Sequence, residues 1–335
     1  LDEPGERKKH DFAKPQIGGL VFGPLLLVFC WFFSLAPIWY IFGGIITIIL
    51  GFIDDNHHIP WYIKLVVQLF IGFYLISIFW SKFDSIIFYN FSLQVSQLTL
   101  LCIFIIWFIG IYNAVNLIDG LDGLAGGFVI LTSIGLAVSG SGLFFQLNGL
   151  LAIILLSFLV FNQRPASLFM GDSGSLFLGY HIAVLPLLFY NQSLHLGSIV
   201  VTPFILLASY LIADTTRVFF TRLVAKKSPM TADTIHFHHL LLRSGSYISS
   251  ISIIYLLTIL SVIATIFSFN ISLSTNVLLG HLALLLIFIL VPPVETYVPL
   301  ITQIISPIYN WQKKDIKYSP HILRTLFMTI LFLGF

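Results

Sequence analysis

Apolar residues fill this chain in runs rather than in narrow stripes. The runs cover 17–36, 37–53, 61–80, 97–112, 123–140, 143–161, 175–190, 197–217, 249–269 and 276–293, with short polar segments between them. A helix needs about 20 apolar residues to cross a hydrocarbon core about 30 Å thick, so each run predicts a membrane-spanning helix. Pro37 predicts a turn at Ala36-Pro37, because proline interrupts a continuing helix. No polar stretch is long enough to fold separately. The expected architecture is all-α and polytopic: one transmembrane domain over 1–335, ten helices, and a cytoplasmic or interfacial tail over 295–335. The apolar segment 322–335 is too short to span and reads as an interfacial helix or a span cut by the chain end. Leu1 stands where a start Met is expected, which implies sequence upstream.

Basic residues orient these spans. With Arg7, Lys8, Lys9 and Lys14 placed inside and the helices alternating, Lys64, Arg164, Arg217, Arg222, Lys226, Lys227 and Arg243 also fall inside. Lys313, Lys314, Lys317 and Arg324 join them, and of the 16 Lys and Arg only Lys82 lies outside. That asymmetry is the positive-inside pattern of a multi-pass membrane protein. Composition agrees: 58% of residues are apolar and 9% charged, against about 25% charged in a soluble domain. A net charge of +2 with no basic block gives no reason to expect nucleic acid. Cys30 and Cys102 lie inside apolar runs and read as packing residues rather than a disulfide or thiolate site.

The same alternation sorts the acids. Asp54, Asp55, Asp119, Asp122, Asp172, Asp214 and Asp233 fall at inner helix ends or inner loops, and Asp84 lies outside. An acid at a helix end commonly caps a helix or meets a headgroup. Four inner segments carrying Asp beside Gly, Asn or His argue for more, since ionisable groups within membrane reach are costly.

The segment GFIDDNHHIP sets two carboxylates in tandem, about 100° apart on a helix, which suits them to different tasks. In NAVNLIDGLDGLAGG, Asn113, Asn116, Asp119 and Asp122 recur every third residue, and a helix broken near Asp119 turns them towards one pocket. Broken helices at membrane depth are tolerated where they line a cavity. FNQRPASLFMGDSGSLFLG brings Asn162 and Arg164, then a Gly-rich helix start at Asp172, which suits phosphate or metal–phosphate binding. DTIHFHHLL carries His236, His238 and His239. Zinc ligation is one reading, but no thiolate or HExxH arrangement accompanies them. Hydrogen bonding to phosphate or sugar oxygens is the better one. Carboxylates without thiolates favour magnesium, with manganese as the alternative, held through few carboxylates and substrate phosphates.

From RKKHDFAKPQIGG through the tandem Asp, NAVNLIDGLDGLAGG, FMGDSGSLFLG and HFHH, the sequence resembles the polyprenyl-phosphate N-acetylhexosamine-1-phosphate transferases. The resemblance implies ten or eleven helices in a bacterial inner membrane and a cytoplasmic active site using UDP-N-acetylhexosamine, undecaprenyl phosphate and membrane lipid. It implies Asp172 as metal ligand, and Asp54 and Asp55 in catalysis and lipid-phosphate handling. Asn113, Asn116, Asp119, Asp122 and Asn162 would line the nucleotide-sugar pocket, with Lys64 near the phosphates. The HxHH loop points to GlcNAc, with MurNAc-pentapeptide, GalNAc, QuiNAc and FucNAc as alternatives; a homodimer is compatible. Family members often carry a third acid after the tandem pair, where this chain has Asn56, His57 and His58. The expected reaction is attack of a lipid phosphate oxygen on the UDP-sugar β-phosphorus with release of UMP. A transporter is the competing class, although its acids would sit near the midplane.

Overall fold

The structure, a computed structural model, describes residues 14–80, 82–88, 91–192, 197–226, 228 and 235–270. Among these residues the elements are α1 (Gly18–Phe32), α2 (Ile38–His57), α3 (Trp61–Phe79), β1 (Phe83–Phe88), β2 (Phe91–Gln94), α4 (Gln97–Ile118), α5 (Leu124–Val138) and α6 (Leu143–Asn162). They continue with α7 (Gly171–Gln192), β3 (Gly197–Val200), α8 (Thr202–Leu207), α9 (Ser209–Val224), α10 (Phe237–Ser244) and α11 (Tyr247–Asn270). Six of the helices (α2, α3, α4, α6, α7 and α11) are long and apolar enough to cross a membrane, and α1 and α5 are shorter apolar helices. The protein is a mostly helical, multi-pass membrane protein. The expected span 276–293, the tail 295–335 and Asp233 lie outside the described residues.

Pro37 and Pro60 stand at the N-caps of α2 and α3, where a fixed φ and a missing N–H cost the helix nothing. Ser96 caps α4 by accepting a hydrogen bond from Thr99 N at 3.2 Å. α7 is the central helix: 89% of its spanning window is buried, against 33% for α3. It packs on α1, α2, α4 and α6. The contacts with α1, α2 and α4 are backbone-close; a Cβ on Gly179 would fall 2.2 Å from Tyr112 O. A Cβ on Gly19 would fall 2.1 Å from Gly174 N, and one on Gly51 2.3 Å from Ser173 N. Small residues at such crossings let helices gain dispersion and backbone contact where lipid offers no hydrophobic drive. A buried polar chain adds to this. Tyr40 donates to His181 Nδ1 at 2.8 Å, and His181 Nε2 donates to Asn148 Oδ1 at 3.1 Å, joining α2, α7 and α6.

The fold departs from the all-α expectation at one end. β1, β2 and β3 form a three-stranded sheet in the order β2-β1-β3, antiparallel on one side and parallel on the other. Ser85 and Ser198 hydroxyls meet at 2.7 Å across the parallel pair. The run at 197–217 is therefore not one span. Its first residues, including β-branched Ile199 and Val200, pair with β1. Helix resumes at Thr202 with Pro203 in its first turn and, after Ala208, continues in α9. The sheet follows the ends of α3 and α7, so it lies opposite the end where those helices begin. The acids gather at that beginning end.

Candidate active site

α4 ends at Ile118 with Asp119 as its C-cap, and α5 begins after Gly123, whose φ is +79°. The expected break is therefore present, and it carries Asp119 and Asp122 out of the helix into a loop. Asn162, at the end of α6, holds this loop: its Oδ1 accepts from Gly123 N at 3.0 Å and its Nδ2 donates to Leu168 O at 2.9 Å. Asp122 Oδ2 accepts from Ala166 N at 3.0 Å, tying the same loop to the segment between α6 and α7. Tyr247 donates its hydroxyl to Asp122 O, and Tyr255 donates to Gly123 O at 2.8 Å.

These loops surround a cleft of about 630 Å³ lined by Asp55, Asp119, Asp122, Asn162, Arg164, Asp172 and His239, together with Lys14, Gln16 and Tyr247. The volume lies within the range of small-molecule sites. Asp172 Oδ1 accepts from Asn116 Nδ2 at 2.7 Å, and the same amide donates to Ser175 Oγ at 2.8 Å. Burial pushes the Asp119 carboxyl up to about 7, and the neighbouring Asp172, Asp122 and Asp55 carboxylates add to the shift. Like charges in a desolvated pocket hold a proton tightly until a cation replaces it. Arg164 lies over the Tyr247 ring at 4.4 Å, presenting a cation at the cleft.

The tandem acids separate, as their helical spacing requires. Asp54 is buried, accepting from Ile59 N at 2.9 Å and from Lys64 Nζ at 2.6 Å. Asp55 turns to α7, accepting from Asp172 N at 2.7 Å and Ser173 N at 3.1 Å. The N-terminus of α7, expected to meet phosphate through its amides, thus has two of them engaged by Asp55. Gly171 enables the approach, with φ +70° and a hypothetical Cβ only 2.7 Å from Asp55 Oδ2.

Not every expected residue reaches the cleft. Asn113 pairs reciprocally with Gln68, at 3.0 and 2.8 Å, and so links α4 to α3. Lys64 is committed to Asp54. His57 and His58, standing where the resemblance implied a further acid, are exposed beyond the cleft lining. His236 and His238 are buried behind His239, with successive ring centroids 5.9 and 4.1 Å apart. Burial, with the neighbouring histidine charges, lowers His238 to about 3, so its ring is neutral. Asp214, Arg217, Gln68, Tyr247, Lys14 and Gln16 gained no role from sequence, although Asp214 and Arg217 stand one helical turn apart where α9 becomes polar.

Fold and site together define a multi-pass membrane protein with an acidic cleft at one end of its helices. The chain matches glycosyl transferase family 4 over residues 37–190. It is 32% identical to the probable undecaprenyl-phosphate N-acetylglucosaminyl 1-phosphate transferase of Bacillus subtilis over 269 residues, 77% of this chain and 74% of that protein. Against the undecaprenyl-phosphate alpha-N-acetylglucosaminyl 1-phosphate transferase of Thermotoga maritima it is 30% identical, over 72% of this chain and 73% of that one. The phospho-N-acetylmuramoyl-pentapeptide-transferase of Streptococcus thermophilus is 33% identical over 54% of this chain and 61% of its own length. The chain belongs to glycosyl transferase family 4, and it is a transferase rather than a transporter.

Proposed function

We propose that this enzyme transfers N-acetylglucosamine 1-phosphate from UDP-GlcNAc to undecaprenyl phosphate, releasing UMP at the cytoplasmic face of a bacterial membrane. The observation that carries the reading is the cleft at the helix ends, where Asp55, Asp119, Asp122 and Asp172 meet Arg164 and Lys14. A soluble nucleotide sugar enters such a site from water, and a lipid phosphate from the bilayer. The N-acetylglucosaminyl 1-phosphate transferases of Bacillus subtilis and Thermotoga maritima, alike over most of their length, support the sugar. The likeness to a phospho-N-acetylmuramoyl-pentapeptide-transferase favours MurNAc-pentapeptide as the second reading.

The donor set fits magnesium. The cleft lining is rich in carboxylates and contains no cysteine, and three His, Cys, Asp or Glu side chains form no ready metal cage among the described residues. Magnesium binds through one or two carboxylates and substrate phosphates rather than an all-protein cage. Asp172, oriented by Asn116, and Asp119 would hold it. When bound, it neutralises charge on the transferring phosphate.

The chain's own groups do the positioning. Arg164 and Lys14 offer cations to phosphate oxygens. Asp54 on α2 holds Lys64 on α3, and both its oxygens are occupied, which argues against its serving as a base. None is demanded. A phosphate monoester has a second pKa near 6 and reaches a neutral site mostly as the dianion, ready to attack. A panel of UDP-sugars with undecaprenyl phosphate, read as UMP release, tests this function; release from none of the UDP-N-acetylhexosamines would reject it.

A further inference from the structure

Asp214 lies on α9, outside the cleft lining, and is 1% exposed. Three donors converge on its carboxylate. Oδ1 accepts from Arg217 Nη2 at 2.8 Å and from Phe237 N at 2.9 Å; Oδ2 meets His236 Nδ1 at 3.0 Å. Arg217 Nη2 also donates to Ile235 O at 2.6 Å, so the backbone of 235–237 is pinned through one carboxylate oxygen and one guanidinium. Holding the backbone does not need the second oxygen. That oxygen is given to the imidazole.

An ionised carboxylate only accepts, so the proton of a neutral His236 sits on Nδ1, and Nε2 faces the other way. Which ring nitrogen carries the proton is set by the partner of the other. His236 Nε2 is buried and finds no partner among the described residues, and neither ring nitrogen of His238 finds one. The His238 ring stacks on His236 with 16° between the planes. Its Nε2 lies 2.5 Å from where a Cβ on Gly120 would stand, against the loop bearing Asp119 and Asp122. Buried polar atoms without partners are costly to fold around. The three lie in one row that ends at His239 on the cleft wall.

We propose that Asp214, backed by Arg217, is a positioning residue that fixes the ring orientation and tautomer of His236 and so sets the arrangement of the histidine row that ends at the cleft where the nucleotide sugar binds. This inference rests on the transferase reading for its ligand, but the geometry of the Asp214–His236 pair stands without it. A purely structural clamp would hold 235–237 just as well with any ring state at position 236. The positioning role requires that Asp214 act through His236.

The experiment is a double-mutant cycle in the purified full chain, read as UMP release from UDP-GlcNAc with undecaprenyl phosphate. Asp214→Asn keeps the shape but offers an amide N–H where His236 donates. It is expected to lower kcat/KM by on the order of 10- to 100-fold, the usual cost of removing the group behind a functional histidine. In a His236→Ala background the same change is expected to cost less than about twofold, because coupled residues are non-additive. Equal losses in both backgrounds, or a loss below twofold in the parent, overturn the proposal. Should Asp214→Asn fail to fold, Asp214→Glu carries the same comparison with the charge retained. Nitrogen-15 spectra of histidine-labelled protein in nanodiscs give a second arm independent of turnover. One ring protonated on Nδ1 should vanish in His236→Ala and shift its proton to Nε2 in Asp214→Asn; an unchanged tautomer in Asp214→Asn overturns the proposal. If the parent protein releases no UMP from any UDP-N-acetylhexosamine, the transferase reading fails, and the spectra still decide the role of Asp214.

Discussion

Both oxygens of Asp54 are taken, by Ile59 N and Lys64 Nζ, while those of Asp55 reach the first amides of α7. Asp54 and Lys64 should therefore behave as one unit. Asp54→Asn and Lys64→Ala are each expected to reduce kcat/KM about tenfold or more, and the double variant to be no worse than the poorer single one. Steady-state kinetics of the three proteins check this; independent, multiplying losses would separate the pair. His238 makes a second prediction. Its folded pKa lies near 3, below the ordinary 6.5, so the fold favours the neutral ring. The corresponding stability is present above pH 6.5 and is lost as pH falls from there towards 3. Thermal unfolding in detergent should show Tm falling with acidification over that range, and His238→Gln should flatten the fall. An equal slope in both proteins would count against a buried neutral His238. At this scale the sequence reveals the acids because each is a charge in an apolar chain. It hides their partners. Asp55 meets amides more than a hundred residues away, and Asn113, in register with Asn116 and Asp119, proves to face Gln68 because the spacing alone does not say which neighbour a helix face meets.

The helices were legible because their apolar runs match a membrane's thickness, and the turn at Pro37 and the break near Asp119 fall at real boundaries. The sheet was not legible. Its strands Phe83–Phe88 and Gly197–Val200 are short and pair across more than a hundred residues, and in an apolar chain a run of Ile and Val reads equally as the start of a helix. The α2–α7 crossing carries the prediction at this scale. Gly51→Ala would place a Cβ 2.3 Å from Ser173 Cα, against backbone that cannot swing aside. Overpacking of this kind costs about 1–3 kcal/mol, and here it also moves Asp55 relative to Asp172. Gly51→Ala should lower both Tm and UMP release, measured on the same detergent-purified sample, whereas Gly110→Ala, with nothing within 4 Å of its added Cβ, should retain both. Normal turnover in Gly51→Ala would show that the crossing is looser than described.

Across the whole molecule, one end of the bundle holds a sheet and the other holds the chemistry. Alternating helices require that division, which is why the positions of lysines and arginines already implied where the carboxylates would gather. On the proposed function, the cleft and its acidic lining are where a soluble nucleotide sugar and a lipid phosphate would meet. The most direct test of this account is UMP release by the purified protein from UDP-GlcNAc, with undecaprenyl phosphate and magnesium each supplied or withheld. The account predicts release only when both are present, abolition by EDTA, recovery on adding magnesium, and loss of at least about 100-fold in Asp172→Asn, as expected when a group stabilising developing charge is removed. Release that proceeds without the lipid phosphate, or that survives unchanged in EDTA and in Asp172→Asn, would contradict it.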